Sequence, residues 1–208
     1  MADPIVYGAA YSVYVRAVRL TLAEKDVPYR LIEVDVFAPG GPPPEHLARH
    51  PFGRIPAFEH DGFRLYETGA ITRYVDEAFA GPPLQPAGAR ARARMNQAIG
   101  IQDAYVYPNL VWGVYVERVE APRRGRAPDE TRIGRLLPRV ETCLAALEAL
   151  SDGPWLAGDA ISLADLHAAP MFALFLQTPE GVALLSGFPR LARWWTAVSE
   201  RPSFAATT

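Results

Sequence analysis

Residues 51–74, PFGRIPAFEHDGFRLYETGAITRY, constrain this chain more than any other stretch. They read as loop, short strand, tight turn, short strand and helix. Asp61-Gly62 is a hairpin signal, since the two-residue turns that match strand twist need residues tolerant of positive φ. Ala57, Phe58 and Glu59 precede the turn, and Phe63, Leu65 and Tyr66 give the second strand its apolar residues. Ala70, Ile71, Tyr74 and Val75 follow at helical spacing, and Thr68 stands where an N-cap belongs. Two details go beyond an ordinary hairpin and capped helix. One is Ile55-Pro56 immediately before a strand; the other is the acid-hydroxyl pair Glu67-Thr68 at a helix start.

Upstream, residues 4–8 read as a short buried strand ending at Gly8. Residues 14–25 place Val15, Val18, Leu22 and Ala23 on one helical face, until Val27-Pro28 stops the pattern. Residues 29–36 alternate as a strand does, with Ile32, Val34 and Val36 on one side. A strand, helix, strand opening suits a parallel pair with a crossover helix. Residues 38–44, APGGPPP, form a stiff irregular loop. A short helical turn over 45–50 follows, on which His46 and His50 share a face. Such a pair is either half of a metal site or two surface histidines. A zinc site takes three or four protein ligands, and no further partner is evident.

Residues 81–88 read as a linker between two domains, 1–80 and 89–208, and no further strand is expected after it. Residues 89–119 form a long helical stretch with Pro108 inside, where a kink is expected. Tyr105, Tyr107, Trp112 and Tyr115 make its middle aromatic. Arg123-Arg124-Gly125-Arg126 is a basic loop, either anion-binding or merely solvated. A helix over 129–150 buries Leu136, Val140, Leu144, Leu147 and Leu150, with Cys143 as a small packed residue. Ser162 and Asp165 have capping-box spacing, Asp standing in for Glu, with Ile161 and Leu166 at hydrophobic-staple positions. Asp165 is thereby a folding signal rather than a catalytic acid. Shorter helices are expected over 179–185 and 189–200, with Trp194 and Trp195 packed on the core.

The chain's 208 residues, half of them hydrophobic, suffice for two small domains with cores of their own. A net charge of -2 argues against nucleic acid as a partner. No uncharged apolar run approaches the roughly 18 residues of a membrane span. The opening MADPIVYG has neither a basic start nor an apolar core, so no signal peptide is expected there, and a cytoplasmic protein is the simplest reading. Cys143 is the one cysteine, which excludes an intrachain disulfide and a cysteine-based zinc site.

The 51–74 stretch resembles the glutathione transferases, whose first domain carries Pro-Phe-Gly-x-[Val/Ile]-Pro and then Glu-Ser or Asp-Ser at a helix start. Here these are residues 51–56 and Glu67-Thr68. The Ser162 and Asp165 box resembles the family's second domain, so the resemblance extends over essentially the whole chain. It implies an α/β thioredoxin-like N-terminal domain, βαβ then ββα, and an all-α C-terminal domain. It also implies glutathione as co-substrate, no metal, a homodimer, and a cis bond at Ile55-Pro56. The segment from Tyr7 to Ser12, with Arg16 and Glu24-Lys25 beyond it, looks most like the serine-type phi class and its bacterial relatives. Ser12 matches their thiolate-stabilising serine; taken alone, it reads equally as an N-cap.

Glutathione presents a free amine, two carboxylates and a thiol. Glu67 suits the amine. Thr68 and the first N–H groups of its helix suit the α-carboxylate, because helix N-termini bind anions. The resemblance assigns Ile55, before Pro56, to the backbone of the cysteinyl residue. Gly41 and Pro42 stand where phi-class relatives carry a His-Lys pair for the glycine carboxylate, and Arg54 is the cation left to replace it. The thiolate is the nucleophile, while a free thiol titrates near 8.5. One hydrogen bond to a charged group is worth about 1.5–3 kcal/mol, which lowers that value by about 1–2 units. Tyr11 and Tyr14 are competing donors or, with Tyr105 and Trp112, walls for a small hydrophobic electrophile. Phe52 either packs locally or inserts into a partner subunit. A ligand carrier with little or no catalysis, and a glutathione-dependent peroxidase, are the alternatives on the same fold.

Overall fold

The computed structural model describes residues 3–208. Contacts divide the chain into two compact units, Met1–Gln85 with Arg201–Thr208, and Pro86–Glu200.

The first unit is built on β1 (Ile5–Tyr7), α1 (Val13–Glu24), β2 (Arg30–Ile32), α2 (Pro44–Leu47), β3 (Ala57–His60), β4 (Phe63–Tyr66) and α3 (Thr68–Ala78). The strands lie in the order β2-β1-β3-β4, with β1 parallel to β2 and antiparallel to β3. This is the expected thioredoxin-like arrangement. Val15, Val18 and Leu22 of α1 recur at i, i+3 and i+7. They are buried with Ile71 and Val75 of α3 against Val6 and Phe58 of the sheet. Each such side chain contributes about 1.5–3 kcal/mol on burial. The hairpin turns as expected, with Asp61 and Gly62 at φ 48° and 80°.

Two expectations change here, and the connector gains detail. The strand read over 29–36 pairs only over 30–32. β1 is itself short and ends at Tyr7, so later residues have no ladder to join beyond the Val34 N–H, 3.4 Å from the Gly8 carbonyl. His46 and His50 are not surface residues, being 0% and 2% exposed. Among the described residues, no three His, Cys, Asp or Glu side chains are grouped to hold a metal ion. Finally, the first half of the connector is anchored. Lys25 Nζ donates to Asp76 Oδ1 at 3.0 Å and to the Pro82 carbonyl at 3.2 Å, and the Leu84 N–H donates to Asp76 Oδ1 at 2.8 Å.

In the second unit α4 (Ala89–Ile101) passes into a π-helical segment, Gln102–Glu120, closed by α5 (Ala121–Arg123). The sequence pattern predicts an α-helix kinked at Pro108; the structure widens the turn instead, as in the Ala121 N–H donating to the Val116 carbonyl five residues back. A proline ring presses on the carbonyl four residues before it in an α-helix, and a wider turn relieves that contact. Then come α6 (Glu130–Leu150), α7 (Leu163–Phe175), α8 (Pro179–Leu185) and α9 (Pro189–Ser199). On α6 Val140, Cys143, Leu144 and Leu147 are buried as expected, while Leu136 and Leu150, toward its two ends, are only half-buried; burial pushes the Cys143 thiol upward. Ser162 and Asp165 form the expected capping box, and Trp194 is buried beside them. The unit's strand-like feature is one bridge between Trp155 and Gly158.

The basic loop is neither an open anion site nor simply solvated. Arg126 pairs with the buried Glu117 at 2.8 Å, which Arg132 also reaches at 2.5 Å, and Arg123 pairs with Glu120 at 2.7 Å. The hydrogen bond from Arg126 holds the Glu117 carboxyl below its ordinary value of 4.5, against the opposing effect of burial. A depressed carboxylate stabilises the fold above its unfolded pKa and loses that contribution as pH falls through its folded one. The stability gap between wild type and Glu117→Gln in urea unfolding is therefore expected to narrow progressively as pH falls below 4.5. Curves that stay parallel across that range would show that the pairing carries no stability.

Arg201–Thr208, assigned by the sequence reading to the helical domain, makes its contacts with the first unit. It contains α10 (Pro202–Ala206), which packs on α1.

Candidate functional site

Strand register gathers the motif residues. Tyr7 lies opposite Ala57, and Ala57 opposite Tyr66. The chain leaves β1 after Tyr7 toward Ser12, enters β3 from Ile55-Pro56, and leaves β4 toward Glu67-Thr68. Three segments distant in sequence thus meet at one end of the sheet. A Cβ at Gly8 would sit 3.2 Å from Ile55 Cβ and 2.4 Å from Val15 Cγ2, so only glycine lets these segments close together. The Ile55-Pro56 bond is cis, as the resemblance implies.

Ser12 is half-buried and caps α1, its Oγ accepting from the Val15 N–H at 3.4 Å. A hydroxyl has two lone pairs and one proton. Capping occupies a lone pair, and the proton is given to no acceptor among the described residues. The capping and thiolate-stabilising readings of Ser12 are therefore compatible.

Tyr11 differs. Its hydroxyl donates to Asp35 Oδ1 at 2.8 Å, and its ring lies 5.9 Å from that of Phe37. Burial, with the Asp35 hydrogen bond, pushes the Tyr11 hydroxyl well above its ordinary value of 10.0. Tyr11 is thus a committed donor with an exposed ring. Tyr14 is half-buried on the first turn of α1. Tyr105 and Trp112 lie on the π-helical segment of the second unit, 60% and 40% exposed.

Glu67, not Thr68, is the cap residue of α3. It holds φ 71°, sparsely populated for a residue with a side chain. The cause is the turn from β4 straight into α3, in which the Glu67 carbonyl accepts from the Ala70 and Ile71 N–H groups, both at 3.0 Å. Among the described residues no side chain caps the helix. The N–H groups of Thr68 and Gly69 and the Thr68 hydroxyl consequently make no hydrogen bond among the described residues. An uncapped helix start with a free hydroxyl fits a carboxylate, and the exposed Glu67 side chain beside it fits an ammonium group.

Sequence reasoning missed the support beneath Ile55-Pro56. A carbonyl only accepts, so His46 Nε2 donates to the Arg54 carbonyl, at 2.7 Å, and fixes the backbone leading into Ile55. His50 packs on Tyr66 at 4.8 Å and Phe52 at 6.2 Å between ring centroids. Burial lowers its pKa; Glu67 opposes this, and His46 and Arg54 add to it. Arg54 and Glu67 thus lie within electrostatic range of one buried imidazole. The one sequence signal was the pair's helical spacing, which did not show which way the pair faced.

Comparison with known proteins agrees with this geometry. The family description "Glutathione S-transferase, N-terminal domain" matches residues 6–83, and "Glutathione S-transferase, C-terminal domain" matches residues 107–202. Glutathione S-transferase 3 of Zea mays is 32% identical over 213 aligned positions, spanning 100% of this chain and 94% of that protein. Glutathione S-transferase F10 of Arabidopsis thaliana is 32% identical, over 96% of this chain and 93% of its own length. Among solved structures, glutathione transferase F7 from Populus trichocarpa superposes with a TM-score of 0.86 at 32% identity, covering 98% of this chain and 97% of its own. Glutathione S-transferase I from maize, solved with an atrazine glutathione conjugate, gives a TM-score of 0.86 at 27% identity, over 99% and 96% of the two chains. With cis Ile55-Pro56, the open start of α3 and near-complete coverage of these relatives, the chain belongs to the glutathione S-transferase family.

Proposed function

We propose that this chain is a serine-type glutathione transferase joining the glutathione thiolate to small hydrophobic electrophiles. The observation that carries the proposal is the uncommitted proton of Ser12, at the head of α1 and at the sheet end where Ile55-Pro56 and Glu67-Thr68 meet. The Ser12 hydroxyl donates to the sulfur, and the helix start adds its dipole. Glu67 takes the amine, Thr68 and the first N–H groups of α3 take the α-carboxylate, Ile55 pairs with the cysteinyl backbone, and Arg54 faces the glycine carboxylate. The thiol proton passes to solvent. The thiolate then attacks carbon, forming C–S as the leaving group departs with its electron pair, and Ser12 keeps its proton throughout. The atrazine glutathione conjugate held by the maize relative makes an aromatic halide the first electrophile to try. Tyr11, Tyr14, Tyr105 and Trp112 are assigned to the electrophile by resemblance. The serine-type, phi-like and bacterial assignment is part of this proposal; the chain is also similar to a glutathione S-transferase structure from Rhodospirillum rubrum, at TM-score 0.82 and 26% identity. A cytoplasmic homodimer completes the reading; Phe52, 70% exposed, is the residue offered to the partner subunit.

The test is calorimetry with glutathione together with turnover of glutathione and a chloronitrobenzene. Heat on binding and conjugate formation are expected. No heat with glutathione, but tight binding of an apolar dye, would replace the enzyme reading with a carrier.

A further inference from the structure

α1 begins at the residue assigned to the thiolate, and it is gripped near both ends by Arg201–Thr208. Glu24, its last residue, accepts from Arg201 Nε at 2.7 Å and Nη2 at 2.6 Å, and from the Ser203 hydroxyl. Burial opposes ionisation of Glu24, and these partners outweigh it, holding the carboxyl below its ordinary value. Near the other end, Arg16 lies one turn beyond Ser12. Its guanidinium stands 4.1 Å from the centre of the Phe204 ring. It donates to the Phe204 carbonyl at 3.0 Å, the Thr208 hydroxyl at 3.3 Å and the Thr207 hydroxyl at 3.5 Å.

No carboxylate pairs with Arg16 among the described residues. Burial, and then the charge of Arg19, act against its cationic form. A half-buried cation held by a ring, a carbonyl and hydroxyls gains orientation more than charge neutralisation, because a planar fork with several donors accepts few poses. The Arg16 backbone N–H donates to the Ser12 carbonyl at 2.9 Å. One residue therefore links the returning segment to the turn that presents the serine.

We propose that Arg16 is a positioning residue: clasped by Arg201–Thr208, it fixes the first turn of α1 and so the direction of the Ser12 hydroxyl. This rests on the assignment of Ser12 to the thiolate. The measurement is the pH titration of the bound thiolate's ultraviolet absorbance, with kcat and KM for glutathione and a urea unfolding midpoint for each variant. Arg16→Met is expected to raise the titration midpoint by about one unit, equivalent to about tenfold less thiolate well below it, while KM changes little. Val18→Ala, a cavity in the same helix away from the clasp, is the control; it is expected to lower the unfolding midpoint and leave the titration unmoved.

Arg16→Met that unfolds earlier but titrates as wild type overturns the proposal. So does a titration shift in Val18→Ala as large as that in Arg16→Met. If Arg16→Met does not fold, Phe204→Ala carries the test, with a shift of the same sign supporting the proposal and none overturning it. Ser12→Ala run alongside separates the two levels. If it too leaves the midpoint unmoved, the Ser12 assignment falls and this inference with it. If Ser12→Ala moves the midpoint and Arg16→Met does not, only the positioning role falls.

Discussion

Asp165→Ala is expected to remove a large share of the folding stability of the helical unit. The Asp165 carboxylate is 0% exposed. It accepts from the Leu156 N–H at 2.8 Å, the Ser162 N–H at 2.7 Å, the Ser162 hydroxyl at 2.9 Å and Trp194 Nε1–H at 2.9 Å. Burial pushes this carboxyl's pKa upward against the pull of those donors. It ties the start of α7, the 151–158 loop and α9 together from one point. Alanine leaves these donors without that acceptor, and a buried unsatisfied group costs about 1–3 kcal/mol. The sum is at least about 4 kcal/mol, against a total stability of about 5–15 kcal/mol for a typical domain. Urea unfolding followed by tryptophan fluorescence should show a variant that unfolds far earlier or does not fold. Asp165→Asn keeps the volume but turns an amide donor toward donors, so it should recover only part of the loss. A change below about 1 kcal/mol for the alanine variant would show that solvent or neighbouring groups take over the carboxylate's bonds.

Ser12→Ala is expected to lower kcat/KM with glutathione by about tenfold to a hundredfold near pH 6.5, from a hydrogen bond to a charged acceptor worth about 1.5–3 kcal/mol. The pH profile should move upward by about 1–2 units, so that the loss shrinks at alkaline pH. Ser12 also caps α1, and losing a cap to alanine costs about 1 kcal/mol. Ser12→Gly separates the two roles, since glycine at a cap costs only a few tenths of a kcal/mol while lacking the hydroxyl. Equal activity losses in both variants, with stability lost in the alanine variant alone, place the effect in the chemistry. Wild-type turnover and an unmoved profile in both would take Ser12 out of the mechanism.

Much of this architecture is legible locally. Asp61-Gly62, Val27-Pro28, and Ser162 with Asp165 each signal a turn, a stop or a cap through atoms a few residues apart, and the structure has each of them. Apolar spacing on α1, α3 and α6 likewise names most of the buried residues, though Ala70 is exposed and Leu136 and Leu150 only half-buried. The readings that changed depended on remote partners. Helical spacing shows that His46 and His50 share a face but not that the face turns inward, where His46 meets the Arg54 carbonyl. Local pattern places the cap at Thr68, but how β4 runs into α3 puts it at Glu67. The π-helical segment could not be read from Pro108, which is equally consistent with a kink. Arg126 looked free because its carboxylate lies nine residues away on another element.

By itself the sequence determined most of the order of elements and marked Ser12, Ile55-Pro56 and Glu67-Thr68 as the residues on which the proposed chemistry rests. Those properties follow from backbone preferences and side-chain types that act over a few residues. The tertiary structure decided that these residues share one end of a sheet, that the proton of Tyr11 belongs to Asp35 while that of Ser12 stays uncommitted, and that Arg201–Thr208 returns to hold α1. Each depends on strand register or on a contact between residues far apart in the chain, and only the folded packing supplies those.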